Sequence, residues 1–272
     1  MSKKCLRKQH QQMRLSIKTG AGGVGKTTLA TNLGYEMAIL GYKVAIFDLD
    51  PQASINVFCR LDKNPKPIQT TAWIYSSDFD GNYPLIPVWT DYTKNLEVCQ
   101  GSDALFKIIP LIYAHSRGSY LLKDHLEDFP LDHDLIIFDC PATLEPIPMT
   151  ALAASTHVLV PLEPAPKESD GTRLYAKWFD AKVRELRLSP SPEILGFVIN
   201  GLKDWSEHVR LAEQLPPQYE RRGFHCFPPI NEYAEFVNAC SRGVPLRVHR
   251  PNHPGVKQLQ PIVQAIQNII GV

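Results

Sequence analysis

Short apolar runs alternate with helix-length amphipathic segments through most of the chain. Continuous apolar runs, unlike alternating ones, are typical of strands that are buried on both faces of a sheet. Such runs stand at residues 44–47, 135–138, 158–160 and 194–199, and two shorter apolar segments, each with one polar residue, predict strands at 15–17 and 96–98. A helix is predicted from about Lys26 to Leu40. Because strand–helix–strand repetition builds parallel βαβ units, the pattern predicts an α/β fold with a single doubly wound, mostly parallel sheet flanked by helices.

Two segments depart from this alternation of strands and helices. Residues 60–95 are rich in Pro, Asp, Asn and aromatic residues, and they predict an irregular excursion with a short helix near Thr71 and a hairpin. The C-terminal segment has helical spacing of its apolar residues, which are Leu259, Ile262, Val263, Ile266, Ile269 and Ile270. Its polar face carries Gln and Asn instead of the Lys and Arg of a membrane-surface helix, so core packing is predicted.

The overall composition fits one large domain that binds no membrane. The 272 residues are 44% hydrophobic, and 29 basic residues balance 28 acidic ones. Residues 1–13 predict a basic, flexible N-terminal tail, and residues 14–272 predict a single domain. No run of about 18 apolar residues is present, so a cytoplasmic protein is expected. Six cysteines without metal-binding spacing predict reduced thiols.

A phosphate-binding loop joins the first predicted strand to the first predicted helix. Residues 20–27 (GAGGVGKT) satisfy the P-loop pattern in the strand-to-helix context that gives the pattern its meaning. Glycines permit positive φ, and the backbone N–H groups then surround an anion at a helix N-terminus. The predicted nucleotide-binding residues are Gly20, Gly22, Gly23, Val24, Gly25, Lys26, Thr27 and Thr28. Lys26 would reach the β- and γ-phosphates, and the Thr27 hydroxyl would ligate Mg²⁺.

Four segments resemble landmarks of one ATPase family, in the same order along the chain. They are residues 22–28 (GGVGKTT), 48–54 (DLDPQAS), 139–141 (DCP) and 196–200 (GFVIN). They are similar to the deviant Walker A loop, the D-x-D-P-Q motif, switch II and the strand ending in an adenine-contacting Asn of the ParA/MinD family. The resemblance spans about residues 14–270, and it implies a P-loop NTPase fold that binds ATP and Mg²⁺.

The resemblance also implies roles for residues outside the P-loop. Asp50 would orient the attacking water, while Asp48 and Asp139 would support the metal together with Thr27. Asn200 would contact adenine, and Pro229 would line the base pocket. For Asp48, a strand-end or helix-capping role is the alternative, and for Asn200 the alternative is a turn residue.

One position departs from the family pattern. The signature lysine, which reaches the partner's phosphates in a nucleotide-sandwich dimer, is replaced by Ala21. Lys167, in the Pro-rich residues 161–168, is predicted to replace it as a catalytic cation that acts on the nucleotide of the partner subunit. The alternative is that Lys167 is an ordinary exposed lysine at the start of a helix. Lys18 is a second candidate. An Ala at this position resembles the carboxysome-positioning branch of the family.

The resemblance implies a slow ATPase that forms an ATP-bridged homodimer, binds nucleoid DNA non-specifically and positions a cargo with a small adaptor protein. Basic residues that could form the DNA face are Arg173, Lys177, Lys182, Arg184 and Arg187 in one predicted helix and Arg221, Arg222, Arg242, Arg247 and Arg250 near the C-terminus. A solvated helix face is the alternative for the first group. The alternative functions are a MinD-like membrane ATPase, an iron–sulfur protein and a nucleotide-switched adaptor with little turnover.

Overall fold

The computed structural model describes residues 12–144, 146–164 and 168–271, without the side chains of residues 168–174. In the described part of the chain, eight strands form one sheet. They are β1 (Met13–Ile17), β2 (Val44–Asp48), β3 (Leu85–Pro87), β4 (Leu96–Cys99), β5 (Leu135–Asp139), β6 (His157–Leu162), β7 (Glu193–Leu202) and β8 (Cys226–Asn231).

The sheet is mostly parallel, as predicted. The strand order is β3-β4-β2-β5-β1-β6-β7-β8, and β3 alone among these strands runs antiparallel to its neighbour. Each of the six predicted apolar runs lies within one of the strands. The hairpin predicted within residues 60–95 is confirmed in part, because β3 lies in that segment and pairs with β4 just after it.

Helices cover both faces of the sheet. Those in the described residues are α1 (Lys26–Ile39), α2 (Ser54–Phe58), α3 (Thr71–Ile74), α4 (Leu105–Ala114), α5 (Leu121–Asp128), α6 (Ile147–Ala154), α7 (Glu168–Glu185), α8 (Ser206–Glu220), α9 (Ala234–Arg242), α10 (Leu246–His249) and α11 (Pro254–Ile270). One core cluster joins α1 and α11 to the sheet, a second contains residues of α3 to α6, and a third contains residues of α7 and α8. The doubly wound prediction is therefore confirmed.

The C-terminal helix packs into the core. Leu259, Ile262, Val263, Ile266 and Ile270 are each 2% exposed or less, so the stripe predicted from the sequence faces the protein interior. Along the described chain, no helix combines the length and the apolar character that crossing a bilayer requires.

Three features of the secondary structure differ from the sequence predictions. The first strand begins at Met13, inside the predicted tail, because this side chain is buried in the core at 1% exposure. The edge strand β8 was not predicted, because Pro228 and Pro229 interrupt its apolar pattern, and prolines are tolerated at a sheet edge. Arg187 lies beyond α7, with a left-handed φ of 48°, instead of on the predicted helix.

A buried ion pair fastens the first helix to the C-terminal helices. The Arg247 guanidinium donates from Nε to Glu36 Oε1 at 2.7 Å and from Nη2 to Glu36 Oε2 at 2.5 Å. The Gln260 amide donates to Glu36 Oε2 at 2.9 Å. We call these three residues the Glu36 network. Arg247 is a third exposed and its charge is already paired with Glu36, so it has less charge to offer DNA than an unpaired arginine would.

Candidate nucleotide site

The predicted site residues meet at the carboxyl ends of three adjacent strands. In the sheet register Asp139 is paired with Asp48 on one side and with Ile17 on the other. The P-loop leaves β1 directly after this point. Ligands of open α/β sheets bind in the crevice outside the carboxyl ends of the strands, so this edge is the expected position of a nucleotide.

The P-loop backbone has the conformation that its glycines were predicted to allow. Gly23 and Gly25 both have φ of +77°, and Gly25 is the N-cap residue of α1. A Cβ atom on Gly25 would stand 2.4 Å from Asn200 Nδ2, so only glycine fits there. The Asn200 amide in turn donates to Val24 O at 2.8 Å.

Asn200 therefore lies on β7 in contact with the phosphate loop, and not in a turn. Pro229 is half-buried on the neighbouring strand β8, beside Ile230, which is the register partner of Asn200. This juxtaposition brings both residues of the predicted base pocket to the same edge as the P-loop. Their contact with adenine stays a prediction.

Lys26 is held against its own loop. Its side chain is 8% exposed, and Nζ donates to Ala21 O at 2.9 Å. Burial lowers the pKa of Lys26, and the nearby charge of Asp139 opposes that shift. The ammonium group is thus placed at the predicted phosphate position, in an environment that favours an anionic partner.

Asp139 is a buried carboxylate whose negative charge is only weakly stabilised by the surrounding protein groups. It is 1% exposed, and neither carboxylate oxygen has a well-formed hydrogen bond with the described residues. Burial raises its pKa to about 7, while the nearby Thr27 hydroxyl and the Lys26 ammonium act in the opposite direction. Such an orphaned pair of oxygens is suited to a cation that arrives with a ligand.

Asp48 uses both of its oxygens to organise the loop that carries Asp50. Oδ1 accepts from the Asp50 N–H at 3.0 Å, and Oδ2 accepts from the Ile55 N–H at 3.2 Å. Burial, together with the charge of Asp139, raises the pKa of Asp48 well above its usual range. These bonds correspond to the capping role weighed for Asp48, and its support of the metal stays a prediction.

Two residues behind this loop gave no signal in the sequence. The Thr71 hydroxyl donates to Asp48 O at 2.7 Å. A Cβ atom on Gly101 would come within 2.8 Å of the Asp48 carboxyl carbon and 2.9 Å of Asp50 O. Both contacts join segments that are distant in sequence, so no local pattern could have revealed them.

Asp50 lies at the mouth of a small cleft. It is half-buried, and its Oδ1 accepts from the Gln52 N–H at 2.9 Å. The cleft has a volume of about 260 Å³ and is lined by residues 50–52, 141–143 and 146–147, together with Phe106 and Ile109 of α4. Asp50 is therefore open to this cleft, in contrast to Asp48 and Asp139.

The available residues fit Mg²⁺ held jointly with a phosphate. Across the described ranges, no group of three or more His, Cys, Asp or Glu residues could enclose a metal by itself. Mg²⁺ is commonly bound through one or two protein oxygens plus substrate phosphates and water. The Thr27 hydroxyl and the orphaned Asp139 carboxylate supply this kind of donor set next to the P-loop.

The two lysines considered as substitutes for the missing family lysine have different outcomes. Lys167 lies outside the described residues, so its role stays a prediction. Lys18 is fully buried, and its Nζ donates to Leu144 O at 3.3 Å. Its ammonium group points into the molecule, so Lys18 is not placed to reach a partner subunit.

A basic cleft lies among the C-terminal helices. It has a volume of about 630 Å³ and is lined by Arg242, His249, Arg250, Pro251, Asn252, His253 and Pro254. The pKa of His249 is lowered by burial and by the neighbouring charges of Arg242 and Arg250. Glu235 approaches His253 Nε2 at 3.6 Å. We call this region the C-terminal cleft.

Comparison with known proteins agrees with this geometry. A family model described as an AAA domain matches residues 13–186, which is more than half of the chain. The chain is 25% identical over 267 residues to the chromosome-partitioning ATPase Soj of Thermus thermophilus, a match that covers 93% of this chain and 94% of that protein. Matches to several other partition proteins span about half of those proteins' own length.

Solved structures show how widely the fold is shared. The Cyanothece McdA(D38A)-ATP complex superposes with a TM-score of 0.79 at 20% identity, covering 97% of each chain. Cobyrinic acid a,c-diamide synthase from Mycobacterium smegmatis with bound ADP and magnesium superposes with a TM-score of 0.76 at 19% identity, covering 95% of each chain. At these identities the likeness establishes the fold alone, and a fold that is shared with a synthase does not by itself identify the function.

Proposed function

Because the chain belongs to the AAA-domain family that contains the ParA-like, deviant Walker A P-loop ATPases, we propose that it is a ParA-type ATPase that positions or segregates a cargo. The observation that carries the proposal is the orphaned Asp139 carboxylate beside Lys26 and Thr27, at the carboxyl end of the central strands. This arrangement provides for a metal-bound polyphosphate.

The chemistry follows from the side chains. Lys26, released from the Ala21 carbonyl, would pair with the β- and γ-phosphates of bound ATP, and this pairing would offset the cost of burying its charge. Thr27 and Asp139 would hold Mg²⁺, which would neutralise phosphate charge. Asp50, exposed to the cleft at the mouth of the site, orients the attacking water. Asp48 holds the Asp50 backbone in place by accepting from the Asp50 N–H, and its other oxygen accepts from the Ile55 N–H.

Binding of nucleoid DNA would use the C-terminal cleft. Arg242 and Arg250 stand on one surface with His249 and His253, and phosphate contacts of this kind act without regard to base sequence. We propose that ATP bridges two copies of the chain, that Lys167 of each copy replaces the missing lysine at Ala21, and that a small adaptor protein stimulates turnover. The protein would then be cytoplasmic and associated with the nucleoid.

A nucleotide-switched adaptor is the second candidate, and one observation favours it. Ala21 supplies no cation in trans, and its only described polar contact with a side chain is the bond that its carbonyl accepts from Lys26. If Lys167 does not act across a dimer, ATP binding would change the shape of the protein with little hydrolysis. The membrane-associated alternative has no such support, because the apolar face of α11 is buried.

The test measures ATP turnover and duplex DNA binding at two salt concentrations. We expect wild type to bind DNA more tightly with ATP, and added salt to weaken that binding steeply. Lys167→Ala should lower turnover. The Arg242→Ala, Arg250→Ala double variant should weaken DNA binding and reduce the salt slope by about two, whereas Arg117→Ala, which removes a charge already paired with Asp124, serves as the control. ATP binding without turnover or DNA binding in wild type would favour the adaptor.

A further inference from the structure

Lys18 occupies an unusual position for a lysine. It follows β1 directly, its backbone N–H donates to Leu159 O at 3.1 Å, and its side chain is fully buried. Nζ donates to Leu144 O at 3.3 Å and stands 4.0 Å from the centroid of the Trp178 ring. A single buried ammonium group therefore touches two elements that are far apart in sequence.

The first element is the loop after β5, which begins at the nucleotide. Asp139 is the last residue of β5, and the chain reaches Leu144 five residues later. The Leu144 side chain is also near the P-loop, because a Cβ atom on Gly20 would meet its Cδ2 at 3.5 Å. Leu144 therefore lies both on the loop that follows Asp139 and beside the P-loop.

The second element is helix α7. Trp178 lies on α7 beside Tyr175, with 5.5 Å between the ring centroids. The Trp178 indole N–H and the Tyr175 hydroxyl are both buried without a hydrogen-bond partner among the described residues. The same helix carries Lys177 and Arg184, which belong to the first group of predicted DNA-binding cations.

We propose that Lys18 is a positioning residue that couples nucleotide binding to the position of helix α7. The inference rests on the proposed binding of a nucleotide at the P-loop, and it goes beyond it by naming the contact through which that binding reaches a distant surface. The Leu144 carbonyl and the Trp178 ring face together stabilise one buried charge. If the carbonyl moves, the ammonium group must follow it or lose a partner, and the ring that it contacts must adjust.

The test is hydrogen–deuterium exchange of α7 peptides with and without AMPPNP and Mg²⁺. In wild type we expect AMPPNP to change exchange in residues 175–185. Lys18→Met keeps most of the side-chain length and removes the charge, and we expect that change to be lost while AMPPNP still binds. Lys43→Met is the matched control, because Lys43 forms an exposed ion pair with Asp132.

A second pair of variants covers the case in which Lys18→Met fails to fold. Trp178→Phe retains an aromatic face for the ammonium group and should keep the response, whereas Trp178→Leu removes the face and should lose it. The proposal is overturned if wild type binds AMPPNP with no change in α7, or if Lys18→Met and Trp178→Leu respond as wild type does. Failure of wild type to bind AMPPNP at all would instead refute the nucleotide function.

Discussion

Two acidic side chains are buried to nearly the same extent and have opposite surroundings. Glu36 in α1 is 3% exposed and receives three hydrogen bonds from Arg247 and Gln260. Asp139 at the end of β5 is 1% exposed and receives no well-formed hydrogen bond from the described residues. One carboxylate is neutralised by the protein itself, and the other is not.

The difference separates a structural carboxylate from a functional one. A buried charge costs free energy unless it is paired, so a protein retains an unpaired one where a ligand supplies the missing partner. The P-loop places Lys26 and Thr27 beside Asp139, and their effect on its pKa is smaller than that of burial. The comparison therefore predicts that changes at the nucleotide edge alter activity more than stability, and that changes in the Glu36 network do the reverse.

The largest effect is expected at Asp50. Asp50→Asn keeps the shape of the side chain and removes its charge, so we expect ATP turnover to fall about 10³-fold, equivalent to roughly 4 kcal/mol in the activation barrier. Because Asp50 is half-buried at the mouth of a cleft, its unfolding free energy should change by no more than about 0.5 kcal/mol. Phosphate release and urea unfolding measure the two quantities. Turnover near the wild-type level would assign the water-orienting role to another residue.

The opposite result is expected for Glu36. Glu36→Gln leaves the Arg247 guanidinium facing an uncharged amide. Because Arg247 is a third exposed, we expect a loss at the lower end of the range for broken buried ion pairs, about 3 kcal/mol of unfolding free energy. Asp132→Asn, which breaks the exposed pair with Lys43, is the control and should cost about 0.5 kcal/mol. Urea unfolding compares the two. If the folded Glu36→Gln protein also loses ATP affinity, the separation of the two regions is wrong.

The sequence predicted the sheet well because its signals are local. Most inner strands contain a continuous apolar run, and the P-loop pattern fixes where the first strand ends and the first helix begins. The Pro-containing edge strand β8 and the Glu36 network were missed. The network joins residues more than 200 positions apart, and no spacing rule connects Glu36 with Arg247.

The predicted site shows the same limit. Residue types and motif order indicated Lys26, Thr27 and Asp139, and the structure brings these three together. For Asp48 the sequence left a metal role and a capping role open, and only the structure shows that both of its oxygens accept from backbone N–H groups. Likewise, Lys18 was considered as a cation for a partner subunit, and only its complete burial shows that it points inward.

The smallest of the three effects tests the unpaired state of Asp139 directly. Its folded-state pKa is raised from 3.8 to about 7, so the native state binds the proton more tightly than the unfolded chain does. The native state therefore loses stability as pH rises from about 4 to about 7. The full pKa shift would correspond to about 4 kcal/mol, and relaxation and water penetration around the charged carboxylate should reduce it. Asp139→Asn cannot ionise, so we expect it to be more stable than wild type by about 2 kcal/mol at pH 8 without nucleotide.

This advantage of Asp139→Asn should be small near pH 4 and should vanish at about pH 3, where the wild-type carboxyl is mostly protonated in both states. Mg²⁺ with AMPPNP should reverse the order at pH 8, because the wild-type carboxylate gains the cation that it lacks and the amide does not. Urea unfolding at the two pH values, with and without Mg²⁺ and AMPPNP, measures all of these differences. If Asp139→Asn is less stable than wild type at pH 8 without nucleotide, Asp139 resembles Glu36 in being satisfied by the protein, and the contrast between the two regions fails.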